Sequence, residues 1–80
     1  MEQEDKFRNR AIAYYNSKTP CHIVTEQDSW INGYISEKPN EFFFIVLDKE
    51  GQVKVHYIDI RIFEEYVGDK NKIVKILEEN

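Results

Sequence analysis

The chain has 80 residues, of which 41% are hydrophobic and 14% aromatic against 32% charged, too much apolar material for a disordered segment and enough for a single domain spanning 1–80. A domain of this size removes only about 60% of its unfolded surface from water, so its stability margin is thin and oligomerisation is a natural supplement. The formal net charge of −4 opposes any general attraction to a phosphate backbone and confines a nucleic-acid site, if the chain has one, to a local patch.

The first element is an amphipathic helix over 4–17 (EDKFRNRAIAYYNS), with Phe7, Ala11, Tyr14 and Tyr15 at helical spacing and acidic residues at its start. Lys6, Arg8 and Arg10 fall mostly off that stripe, as a solvated face or as a basic patch for phosphate. Lys18-Thr19-Pro20 stops the helix, because proline lacks a donor and disfavours α conformation in the residue before it. CHIVTE then alternates, placing Cys21, Ile23 and Thr25 on one face and His22, Val24 and Glu26 on the other. Gln27-Asp28-Ser29 turns the chain into WINGYIS, and the two strands are expected to form a hairpin.

In this second strand Ile31 and Ile35 point inward with Gly33, while Trp30, Asn32 and Tyr34 share the outer face. A glycine inside a strand is costly unless the backbone bends there or meets a close neighbour. After the break Glu37-Lys38-Pro39-Asn40, EFFFIVLD is a continuous apolar run bounded by charges, the pattern of a strand covered on both faces. Asp48-Lys49-Glu50-Gly51 is a hairpin turn with a positive φ expected at Gly51. QVKVHY resumes alternation with Val53, Val55 and Tyr57 inside and Lys54 and His56 outside. A kink at Ile58-Asp59-Ile60 leads into RIFEEY, so that 20–66 holds five closely spaced strands, the pattern of a small, strongly bent barrel. A short C-terminal helix is expected over 69–79, with Asp69 as cap and Ile73, Val74, Ile76 and Leu77 at helical spacing.

The residues offer little for catalysis. Cys21 and His22 are adjacent on a strand, so they point to opposite faces and cannot act as nucleophile and base. The carboxylates occur as solvated runs such as Glu64-Glu65, and the three glycines each have a turn or bend to explain them, which leaves no phosphate cradle. His22, His56 and Cys21 lack metal-ligand spacing. No catalytic residue, metal or cofactor is expected, and the chain is read as a binding protein rather than an enzyme. Trp30 and Tyr34 are the sharper candidates, since an exposed aromatic can stack a nucleic-acid base; packing beneath a helix is the other reading of the pair.

The lone Cys21 cannot form an internal disulfide, no apolar run approaches the roughly 20 residues that span a bilayer, and the charged opening MEQEDKFRNR lacks the apolar core of a signal peptide. A cytoplasmic protein without a membrane partner is the expectation.

Helix, then five strands with a glycine in the second, resembles the Sm-like family, which includes the bacterial Hfq proteins and the archaeal and eukaryotic Lsm proteins. The resemblance covers about residues 5–66 and is most specific in HIVTE, the turn QDS and NGYI, with Asp48 closing the third strand fifteen positions after Gly33. It implies a mainly β fold, an Sm-like (SH3-type) barrel behind an N-terminal helix. It further implies a ring or smaller homo-oligomer in which the fourth strand of one copy pairs with the fifth of the next, bound to single-stranded RNA or an RNA-protein particle. The family's uridine-binding loop usually carries an Asp and an Asn, at positions that here fall near Pro39 and Phe43. Its second loop carries Arg-Gly or Lys-His where this chain has Ile58-Asp59-Ile60-Arg61. The family's RNA contacts therefore carry over only to Asn40 and Arg61. With the acidic charge, these departures keep a second reading open, a protein-interaction or scaffolding module on the same fold without RNA binding.

Overall fold

A computed structural model describes residues 2–68. Helix α1 runs Glu2–Ser17, two residues longer at its start than the sequence pattern suggests, and five strands follow: β1 Cys21–Thr25, β2 Trp30–Ile35, β3 Phe43–Asp48, β4 Gly51–His56 and β5 Ile60–Glu65. The expected kink before β5 is a single 3-10 turn, Tyr57–Asp59. The expected C-terminal helix, 69–79, lies outside the described residues.

Local chemistry accounts for the boundaries. The amides of Lys18 and Thr19 fold back onto the carbonyls of Tyr15 and Tyr14, with Lys18 in the left-handed region (φ 54°) that closes many helices, and Pro20 prevents continuation. Asp28 takes a left-handed φ of 61° in the β1–β2 turn, and Gly51 takes φ 125° at the start of β4, as the hairpin turn there requires.

All ladders are antiparallel and the strand order is β4-β3-β2-β1-β5. Strand β2 changes partner along its length: Trp30 to Gly33 pair with β1, whereas Tyr34 and Ile35 pair with β3. Gly33 stands at this changeover. A Cβ there would lie 2.1 Å from the carbonyl oxygen of Leu47, a backbone atom that cannot swing aside, so the residue is glycine because the third strand passes directly over it.

The sheet does not close, which corrects the expectation of a barrel. Strands β4 and β5 are its two margins, and among the described residues no ladder joins them. Helix α1 packs on the sheet, and its Phe7 and Ala11 enter the core with Cys21, Ile23, Ile31, Ile35, Phe44, Val46, Val55, Tyr57, Ile60 and Phe63. Phe63 is the aromatic centre of this packing. Its ring stacks on Phe44 at 5.3 Å and receives the edge of Tyr14 at 5.5 Å. Burying side chains of this size contributes about 1.5–3 kcal/mol each and supplies most of what holds the helix to the sheet.

The inward alternation is as the sequence suggests, with Val53 only half-buried at the margin. Strand β3 is covered more completely on one face than on the other: Phe44 and Val46 are buried in the core, whereas Phe43, Ile45 and Leu47 on the opposite face are half-buried. The three successive phenylalanines thus lie in three environments: Phe42 exposed, Phe43 half-buried and Phe44 buried.

Candidate functional site

The four residues singled out from the sequence occupy separate places. Trp30 opens β2 and is 72% exposed on the outer face of the sheet. The His22 imidazole meets its ring edge-on at 5.9 Å, and His22 Nδ1 is 2.5 Å from Asn32 Oδ1, which fixes the imidazole beside the indole. Val24 pairs in register with both Trp30 and Ile62 and is buried outside the main core, so the indole sits at one side of a small apolar patch.

Tyr34 also lies on the outer face but is half-buried. It lines a cavity of about 590 Å³ with Tyr15, Lys18 and Leu47. Its ring is thus a wall between the end of α1 and β3 rather than a free platform beside Trp30.

Asn40 organises the loop between β2 and β3. Its Oδ1 accepts hydrogen bonds from the amides of Phe42 (2.8 Å) and Phe43 (2.9 Å), and its own carbonyl accepts one from the Tyr57 hydroxyl (2.7 Å). The Pro39-Asn40 dipeptide reads in sequence only as a break; this Asx motif is the part that sequence reasoning missed.

Arg61 turns to the other end of the sheet, where Nη2 donates to Asp28 Oδ1 at 2.6 Å across the β1–β2 turn. Both side chains are at least half exposed, so the pair is worth little in stability but lowers the positive charge available to a ligand.

The two arginines of α1 are also engaged, while Lys6 is exposed. Arg8 pairs with Asp5 at 2.6 Å, and Arg10 is half-buried, donating to the Phe63 carbonyl with its guanidinium 6.0 Å from the Phe63 ring centroid. On the outer face of β3 and β4, Lys54 lies 4.5 Å from the Phe43 ring centroid, a cation–π contact that the alternation of β4 did not reveal.

Cys21 and His22 do face opposite ways. The Cys21 side chain is fully buried in the core, and burial pushes its thiol up to about 12, far from any nucleophilic role. Burial also raises the Tyr57 hydroxyl, against a smaller lowering by the charge of Arg8, which suits its task as a hydrogen-bond donor to Asn40. Among the described residues no group of His, Cys, Asp and Glu is placed to hold a metal ion, and no helix is long and apolar enough to cross a membrane.

A helix packed on one face of an open, five-stranded antiparallel sheet is thus the class that the fold defines. No family model matches the chain, and no curated protein matches it as a relative.

Proposed function

We propose that this chain is a binding protein of the Sm-like type that assembles with copies of itself and associates with single-stranded RNA, without catalysis. The observation that carries the reading is the strand order β4-β3-β2-β1-β5, which leaves a six-residue strand at each margin of one antiparallel sheet. A sheet margin offers a row of backbone donors and acceptors that another chain can pair. Pairing β4 of one copy with β5 of the next joins unlike surfaces, so it repeats and closes into a ring when the rotation allows.

In this reading Trp30 stacks a base, with Tyr34 as a second aromatic at a distinct position on the outer face. Asn40 offers its side-chain amide, and Arg61 exchanges Asp28 for a phosphate. The lone buried Cys21 suits a reducing, cytoplasmic setting.

The second reading is a protein-interaction module on the same sheet. It is favoured by the prior engagement of Asn40 Oδ1 and Arg61, and by the acidic net charge.

The test is solution mass by light scattering, alone and with short U-rich and A-rich RNA. A multimer whose mass rises with RNA in a salt-sensitive manner supports the first reading. A species indifferent to RNA at every ionic strength removes it and leaves the second.

A further inference from the structure

The first turn of α1, the loop before β3 and the 3-10 turn after β4 enclose a groove of about 210 Å³, lined by Glu4, Glu41, Phe42, His56, Tyr57 and Ile58. None of these residues belongs to the RNA surface described above. Phe42 is 69% and Ile58 70% exposed, two large apolar side chains that line one groove and for which folding has found no cover among the described residues. A single exposed apolar residue is ordinary, whereas two at one concavity define a surface with something to gain from being covered.

The groove is also held in shape. The Tyr57 amide donates to the Phe42 carbonyl at 3.2 Å, the Tyr57 hydroxyl donates to the Asn40 carbonyl at 2.7 Å, and Asn40 Oδ1 fixes the amides of Phe42 and Phe43. A partner would therefore not have to order these loops, which removes one of the usual costs of binding.

Charge selects the class of partner. The groove is lined by the carboxylates of Glu4 and Glu41, and the Arg8 guanidinium one helical turn beyond Glu4, whose charge also reaches Tyr57, is paired with Asp5. Carboxylates beside an apolar concavity repel phosphate and attract ammonium or guanidinium groups.

We propose that this groove receives a cationic segment of a partner protein, one large apolar side chain seated between Phe42 and Ile58 and flanking Lys or Arg residues meeting Glu4 and Glu41. The site uses none of Trp30, Tyr34 and Arg61, although His56 at its wall is the last residue of the marginal strand β4 and Asn40 holds the loop that carries Phe42.

The test uses the full chain and fluorescence anisotropy with a panel of labelled Gly-Ser peptides, each carrying one central Leu, Ile, Phe or Met between arginines, with aspartate-flanked counterparts. At least one cationic peptide should bind, and its acidic counterpart should not. Phe42→Ser with Ile58→Ser should weaken binding about tenfold or more, the loss typical of a central apolar anchor. Glu4→Lys with Glu41→Lys should weaken it comparably and remove its dependence on salt, while Trp30→Ala should leave it unchanged.

Circular dichroism of each variant separates loss of the groove from loss of the fold, and Phe42→Leu with Ile58→Leu, which keeps apolar volume, should retain binding. Equal affinity for acidic and cationic peptides, or no binding across the panel, overturns the proposal. So does a fall in the protein's own solution mass in the Phe42→Ser, Ile58→Ser variant, which would assign the groove to a second copy. Loss of RNA binding in that variant would likewise assign it to nucleic acid.

Discussion

Gly33 lies so close beneath the carbonyl of Leu47 that a Cβ on it would stand 2.1 Å from the oxygen. This contact is where β2 leaves its pairing with β1 and takes up β3, so the residue couples the two halves of the sheet. Gly33→Ala must push β3 away or twist β2, and both break ladder hydrogen bonds. A loss of about 3 kcal/mol or more is expected, at the severe end for one added methyl group. Chemical denaturation checks it, and a variant within about 0.5 kcal/mol of the parent, the range of ordinary surface substitutions, would show that β3 does not need this approach.

Asn40 is expected to matter to the fold before it matters to a ligand. Asn40→Ala removes the acceptor of the Phe42 and Phe43 amides and leaves the loop before β3 without its Asx motif. By comparison with helix caps, where one side-chain oxygen serves the same kind of orphan donor, the cost is about 1 kcal/mol. Asn40→Asp keeps the acceptor and should recover most of it. Hydrogen exchange at Phe42 and Phe43 reads the effect directly: protection should fall in the alanine variant and persist in the aspartate one.

Burial pushes the Cys21 thiol up to about 12 from an ordinary value of 9.0. A thiol whose value is raised on folding is held neutral by the native state, so its contribution is complete below about pH 9 and is lost as pH rises from there toward 12. Stability should therefore fall across that alkaline interval, and Cys21→Ala should lose this part of the pH dependence while costing core packing at pH 7. Native protein should resist thiol reagents at pH 8 and react fully once unfolded. Rapid labelling without denaturant would contradict the burial.

The positions of all five strands are legible in the sequence because β1, β2 and β4 alternate with a period of two, β3 is an apolar run bounded by charges and breaks separate the strands, and Gly33 stands out as a glycine inside a strand. Closure was not legible. Whether β4 meets β5 depends on the curvature of the whole sheet, which no local pattern encodes. Alternation also ranks Phe43 against its neighbours only in parity; that α1 covers one face and leaves Phe42 exposed is a tertiary outcome. Arg61 presents the same difficulty, since its partner Asp28 lies 33 positions away and only the β1–β5 pairing brings the two together. The groove at Phe42 and Ile58 had one faint signal, an isoleucine at a kink outside the alternating strands.

Edge pairing has its own test at Ile62, a 41% exposed residue on the marginal strand β5. Lysine on an edge strand discourages pairing with another sheet without breaking the parent fold. Ile62→Lys should lower the solution mass of an assembled species toward that of a single chain and leave the circular dichroism spectrum unchanged. If both proteins have the same mass at every concentration, β5 is not an assembly margin.

Trp30 is the only tryptophan in the chain, so its emission reports one site. With 72% of its surface exposed, it should emit at long wavelength and be quenched readily by iodide. If a base of single-stranded RNA stacks on it, RNA should quench the emission and protect the indole from iodide. Trp30→Ala should then weaken RNA binding by about 1–3 kcal/mol, the range for a stacked base, and Trp30→Phe should restore most of it. Arg61→Ala separates stacking from charge, because it should flatten the dependence on salt while sparing the spectral response. RNA that binds without changing the emission would place the contact elsewhere on the chain and remove Trp30 from the proposed surface.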